Sequence, residues 1–252
     1  MQDPKSVPWE QIKARAVPLA FEKLGSMALQ GNLSKEVDGK QVVNVEVIGE
    51  MLTSLASVLD KAMQDRYGSH LTRSLAKLCT PEQRLEIWQC IQTKLVDLAT
   101  NHFGKWTVQE LVKASRTAPE FEAFQRSLAV EDIFVLSKDR NGAHVLKTCV
   151  FEMKPEATQF IYETVAADIM RLARHKFGCA TLQRCLEAGA TDQILLLANA
   201  ISTHSRELAV DGHGNYILQY VVTMKEEGGP KVPAPPPTPV RSATVQRRVE
   251  IY

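Results

Sequence analysis

The chain has 252 residues, 44% of them hydrophobic and 23% charged, so it can bury a substantial core as one elongated or two compact domains and is not a disordered polymer. A formal net charge of +1 excludes polyanion binding through bulk charge and leaves any nucleic-acid surface to local segregation. The five cysteines contain no CxxC pair, and no His/Cys group has zinc spacing, which argues against a disulfide framework or a metal site and for a reducing compartment.

The chain opens on MQDPKSVPWE, which lacks a basic stretch followed by an apolar run, so no secretory signal is expected. Nowhere does an apolar run reach membrane-spanning length. Gly31-Asn32 and Asp38-Gly39 are turn signals, followed by the short run VVNVEV. Residues 1–44 are therefore expected to form an irregular segment or cap.

From residue 45 one pattern recurs: RYGSHLTRSLA from Arg66, HFGKWTVQELV from His102, RNGAHVLKTCV from Arg140, KFGCATLQRCL from Lys176 and HGNYILQYVV from His213. Its pivots are Gly68, Gly104, Gly142, Gly178 and Gly214, separated by 36, 38, 36 and 36 residues. After each pivot the apolar residues fall at helical spacing, as in Val145, Leu146 and Cys149, and strand alternation is absent. A second signal follows each of the first four pivots: Thr80-Pro81-Glu82, Ala118-Pro119-Glu120, Lys154-Pro155-Glu156 and Thr191-Asp192. Proline loses no bond in a first helical turn, and an acidic residue there suits the helix dipole. The unit is thus a long helix, a short helix or turn, and a pivot helix. One unit cannot cover its own apolar faces, so neighbours must stack into an all-α solenoid over residues 45–224.

The stretch KEEGGPKVPAPPPTP reads as a linker, making 225–252 a proline-rich linker and C-terminal tail in which VRSATVQRRVEIY opens a further helix. At least one end of the solenoid is expected to leave an apolar face under-covered, because such arrays need capping repeats.

On a pivot helix, positions i and i+4 after the glycine project from one side and i+1 projects beside them. Two side chains can grip one ligand edge while a third lies flat between neighbouring ligand groups. HKFGCATLQRCLE from His175, DGHGNYILQYVV from Asp211 and SKDRNGAHVLKTCV from Ser137 resemble the Pumilio (PUF) family, and the resemblance covers residues 45–224. It implies a right-handed solenoid of about five three-helix repeats forming a crescent, and binding of single-stranded RNA. In that family i and i+4 contact the Watson–Crick edge of one base, i+1 stacks, and the strand runs antiparallel to the repeats. The implied sites are Ser69/His70/Arg73, Lys105/Trp106/Gln109, Ala143/His144/Lys147, Cys179/Ala180/Gln183 and Asn215/Tyr216/Gln219. Cys179 with Gln183 resembles an adenine reader and the Asn215 triplet a uracil reader. The other three depart from the family pattern, and Ala180 offers little stacking area.

The resemblance further implies post-transcriptional control of mRNA through 3′ untranslated regions carrying a UA-containing element, in the cytoplasm, with the convex face left to protein effectors. Charge agrees with an RNA surface: the five pivot segments together carry roughly +6. Two alternatives are a loosely specific relative acting in ribosomal RNA processing in the nucleolus, and a helical protein scaffold whose RNA face has decayed. Trp106, His70 and His144 stack if the repeat phase governs them, and otherwise are a packed tryptophan and solvated histidines. Cys79, Cys90, Cys149 and Cys185 read as core. No GxSxG, HExxH, Walker or GxGxxG motif with its acidic partner is present, so neither an enzyme nor a cofactor is expected.

Overall fold

The computed structural model describes residues 3–226. In place of an irregular leader, the segment before residue 45 folds into short helices α1 (Trp9–Ile12) and α2 (Ala16–Ala20), a longer α3 (Lys23–Gly31), and an antiparallel hairpin of β1 (Ser34–Val37) and β2 (Lys40–Val43). The hairpin closes at Asp38 and Gly39, both at positive φ (52° and 73°), the conformation that an Asp-Gly pair favours. Trp9, Ala16, Ala20, Leu29 and Leu33 join the core of the following helices, so this segment caps the solenoid.

The three-helix unit then repeats five times. Its members are α4 (Val45–Leu55), α5 (Leu59–Gln64) and α6 (Gly68–Leu78); α7 (Pro81–Ile91), α8 (Leu95–Thr100) and α9 (Gly104–Ala114); α10 (Ala118–Arg126), α11 (Val130–Lys138) and α12 (Arg140–Glu152). The last two units are α13 (Pro155–Ala167), α14 (Ile169–Ala173) and α15 (Lys176–Ala188), then α16 (Thr191–Thr203), α17 (Ser205–Val210) and α18 (Gly214–Glu226). α18 runs two residues past the expected boundary at 224. The proline-rich linker and the tail helix fall in 227–252, outside the described residues.

The outer helices begin where the sequence signals them. Thr80 and Gln83 form a reciprocal capping box at the start of α7, and Pro81 and Pro155 open α7 and α13. Outer helix stacks on outer helix, α7 on α10, α10 on α13, α13 on α16. Edge-to-face contacts carry this layer from Trp88 to Phe124 (5.5 Å) and on to Phe160 (6.1 Å). Arg84 and Glu120, both buried, bridge the layer at 2.7 Å. Arg84 also donates to Cys79 O, and Glu120 accepts from the Arg116 and Thr117 amides, so neither charge is left unsatisfied.

The pivot helices form the second layer, packing α6 on α9, α9 on α12, α12 on α15 and α15 on α18, with α3 on α6. Glycine is required where they cross the preceding short helix. A Cβ on Gly68, Gly104, Gly142 or Gly178 would stand 2.4–2.6 Å from the carbonyl oxygen of Ala62, Leu98, Leu136 or Leu172. The C-terminal end face is open among the described residues: Val222 is 56% exposed, whereas its equivalents Ala76, Val112, Val150 and Leu186 are at most 5% exposed beneath the next unit.

Candidate nucleic-acid interface

Each pivot helix is held at its N-terminus by a polar residue three positions before the glycine. Asp65 Oδ1 accepts from the Tyr67 and Gly68 amides at 2.7 and 2.9 Å. Asn101, Asp139 and Asp211 make the same pair of bonds in their units, and in the fourth His175 Nδ1 accepts from the Gly178 amide at 3.4 Å. The amides of Gly214 and His213 hold the Asp211 carboxyl below its ordinary pKa. These caps fix the first turn, and with it the three positions expected to carry the interface.

All five residues at the stacking position, His70, Trp106, His144, Ala180 and Tyr216, are exposed. Trp106 is 44% exposed, while Trp9 and Trp88 are buried, so the repeat phase governs it rather than packing. Partial desolvation, then Lys105, Lys147 and Arg140, lower the His144 pKa, keeping the ring neutral at pH 7.

The two flanking positions divide along the chain. In the first two units all but Ser69 are tied to the next helix. Arg73 Nη2 pairs with Glu110 Oε1 at 3.1 Å, Lys105 Nζ donates to Asn141 Oδ1 at 2.7 Å, and Gln109 Nε2 donates to His144 O and Thr148 Oγ1, both at 2.9 Å. Ser69 is 4% exposed and donates to Arg66 O. In the last two units Gln183 and Gln219 make no side-chain hydrogen bond among the described residues. Asn215 donates to Asp211 O at 2.7 Å, which orients its amide. Cys179 is 6% exposed and 3.6 Å from His213 O; burial, then Asp211, raise its pKa, so it remains a protonated thiol. Between these groups Ala143 is half-buried and Lys147 exposed.

Acidic partners offset part of the positive charge. Arg171 pairs with Glu131, Arg174 with Glu207, and Arg184 with Glu187. Arg66, Lys77, Arg140, Lys147 and Lys176 are exposed and form no ion pair among the described residues. Of the cysteines expected in the core, Cys79, Cys149 and Cys185 are buried, but Cys90 is exposed on α7.

The structure adds a sixth set that the repeat period conceals. Gly25 meets Leu19 O as Gly68, Gly104, Gly142 and Gly178 meet their carbonyls, at 2.4 Å from a built Cβ, and α3 packs on α6 as α6 packs on α9. This places Ser26, Met27 and Gln30 at the three interface positions. Ser26 donates to Tyr67 O at 2.9 Å, and Gln30 lies beside Ser74. The hairpin inserted after α3 lengthens the interval to Gly68 and breaks the period. The register of Gly25, Leu29 and Gln30 with Gly178, Leu182 and Gln183 was the available signal.

A family model described as a Pumilio-family RNA binding repeat matches residues 132–166, 168–202 and 204–223. Pumilio homolog 11 of Arabidopsis thaliana is 30% identical over 213 residues, which cover 83% of this chain and 37% of that protein. A Pumilio domain-containing protein of Schizosaccharomyces pombe is 30% identical over 162 residues, 64% of this chain and 24% of its own length. The chain thus spans between about a quarter and just over a third of these relatives. Among solved structures, the Puf4 RNA binding domain bound to the HO endonuclease RNA 3′ UTR recognition sequence is similar with a TM-score of 0.74 at 29% identity, covering 84% of this chain and 63% of that one.

Proposed function

The chain belongs to the Pumilio family of helical-repeat proteins, and on that premise we propose that it binds single-stranded RNA across its pivot helices and acts through that binding on mRNA translation or stability in the cytoplasm. One observation carries the reading: in all five units the residue at the stacking position is exposed, with Trp106 and Tyr216 presenting aromatic faces that a soluble helix would otherwise bury. The RNA named for the solved neighbour supports a 3′ untranslated target.

Base choice resides in the last two units. Asn215 and Gln219 face a uracil edge with Tyr216 stacked beside it, and Cys179 and Gln183 face the adenine that follows. Gln183 and Gln219 suit this role because no side-chain hydrogen bond holds their amides among the described residues. With the strand antiparallel to the repeats, the bound RNA shares a 5′-UA-3′ step. The units from Gly25 to Gly142 then hold the 3′ flank with little base choice, by stacking and by cations such as Lys147 and Arg66.

The test is an anisotropy titration of a short single-stranded RNA at several salt concentrations. Stacking contributes roughly 1–3 kcal/mol per base and each phosphate contact on a single strand adds about 0.7 to the salt slope, so modest affinity falling steeply with salt is expected. Absence of binding at low salt would leave a protein scaffold as the better reading.

A further inference from the structure

Glu110 is a misplaced charge on a surface meant for a polyanion. It directly follows Gln109, whereas the other described carboxylates of α6, α9, α12 and α15 stand in the last turn, at Glu152 and Glu187. Its side chain is 14% exposed and its Oε1 takes Arg73 Nη2 at 3.1 Å and Lys113 Nζ at 3.7 Å. The Arg73 guanidinium so held lies 5.6 Å from the centre of the Trp106 ring, and the Lys105 ammonium, itself fixed by Asn141, lies 5.0 Å from it. The largest stacking surface on the interface, exposed as it is, therefore has two cations set against it in the free protein.

A carboxylate here repels phosphate, a cost that positioning Arg73 offsets. We propose that Glu110 is a specificity-determining residue that latches Arg73 against Trp106, so that RNA reaches this ring only by displacing the guanidinium. The inference rests on the RNA-binding reading above. With the latch closed, binding indifferent to sequence at the first two units is held down, and association depends on the edge-reading units around Gly178 and Gly214. When a base does take the ring, Arg73 turns to the phosphate backbone and Lys113 remains as the partner of Glu110.

Glu110→Gln tests this with a short oligouridylate as probe, alone and combined with Arg73→Ala, on the folded 252-residue chain, with melting checked for each variant. Losing a partly exposed ion pair should raise affinity by about threefold at low salt. The freed arginine should steepen the salt slope by about 0.7, the share of one phosphate contact. In the Arg73→Ala background the same substitution should give a clearly smaller gain, limited to the lost repulsion between the carboxylate and phosphate. Glu122→Gln, which neutralises a carboxylate paired with Arg126 on outer helix α10, is the control for net charge and should change neither affinity nor salt slope. Unchanged or weakened binding by Glu110→Gln overturns the latch, as does an equal gain without Arg73 or in the Glu122→Gln control. A parent that fails to bind at low salt, by contrast, removes the RNA-binding reading itself and the latch with it.

Discussion

Two tryptophans of one unit, on its outer and its pivot helix, show how position decides what a residue contributes. Trp88 is fully buried against Phe124, with its indole N–H donating to Ser115 Oγ at 3.2 Å. Trp106 is nearly half exposed in the phase of the interface. Trp88→Ala should destabilise the fold by about 3–5 kcal/mol in chemical denaturation. Trp106→Ala should leave stability almost unchanged and cost roughly 1–3 kcal/mol of RNA affinity. The reverse pattern would place the interface elsewhere. His144 carries a pH dependence of defined sign. Its folded pKa lies below the ordinary value of 6.5, so the unfolded chain binds the proton more readily and the contribution to stability is fully present above pH 6.5. It is lost as pH falls from there through the folded pKa, while RNA affinity rises as the ring gains charge. His144→Gln should flatten both responses; an unaltered pH profile of RNA affinity in that variant would show that the ring lies away from the bound strand.

At the scale of the element, the pivots differ in a way the sequence pattern conceals. A Cβ at Gly142 would meet the backbone of Leu136, with O at 2.6 Å and Cα at 2.8 Å, whereas at Gly214 the nearest atom is the movable Leu208 Cδ2 at 2.7 Å. Gly142→Ala should therefore cost about 2 kcal/mol or more in thermal unfolding and Gly214→Ala clearly less, by the usual cost of overpacking. Equal losses would mean that the helix crossing is not what selects glycine. The five later pivots were legible because their spacing is regular and their helices carry uniform apolar phase. The starts of α7, α10, α13 and α16 were legible from Pro, Thr and acidic residues. The caps at Asp65, Asn101, Asp139 and Asp211 were less so, because a polar residue three positions before a glycine is a common local pattern until the backbone shows both amides turned toward it. Gly25 was hidden by the hairpin, which replaces a short connection with ten residues of extended chain and turn.

For the whole molecule, stacking of units was readable from sequence, and so was an end face left exposed among the described residues, where Val222 occupies the place that the next unit covers elsewhere. The lateral ties were not, since Arg73–Glu110 and Gln109–Thr148 join residues whose neighbourhood exists only once two pivot helices pack. Those ties separate a front half whose flanking side chains are held by the neighbouring helix from a rear half in which Gln183 and Gln219 carry no side-chain hydrogen bond among the described residues, and that division supports the central claim of a preferred 5′-UA-3′ step. Selection from a random single-stranded RNA pool tests it directly, run on the parent and on the double variant Asn215→Ser with Gln219→Glu. A carboxylate accepts from the donor edge of guanine where glutamine suits uracil. The parent should enrich UA followed by weakly specified bases, and the variant GA with the fold unchanged. A parent that enriches no UA step, or a variant that keeps the parent's preference, would contradict base reading by Asn215 and Gln219.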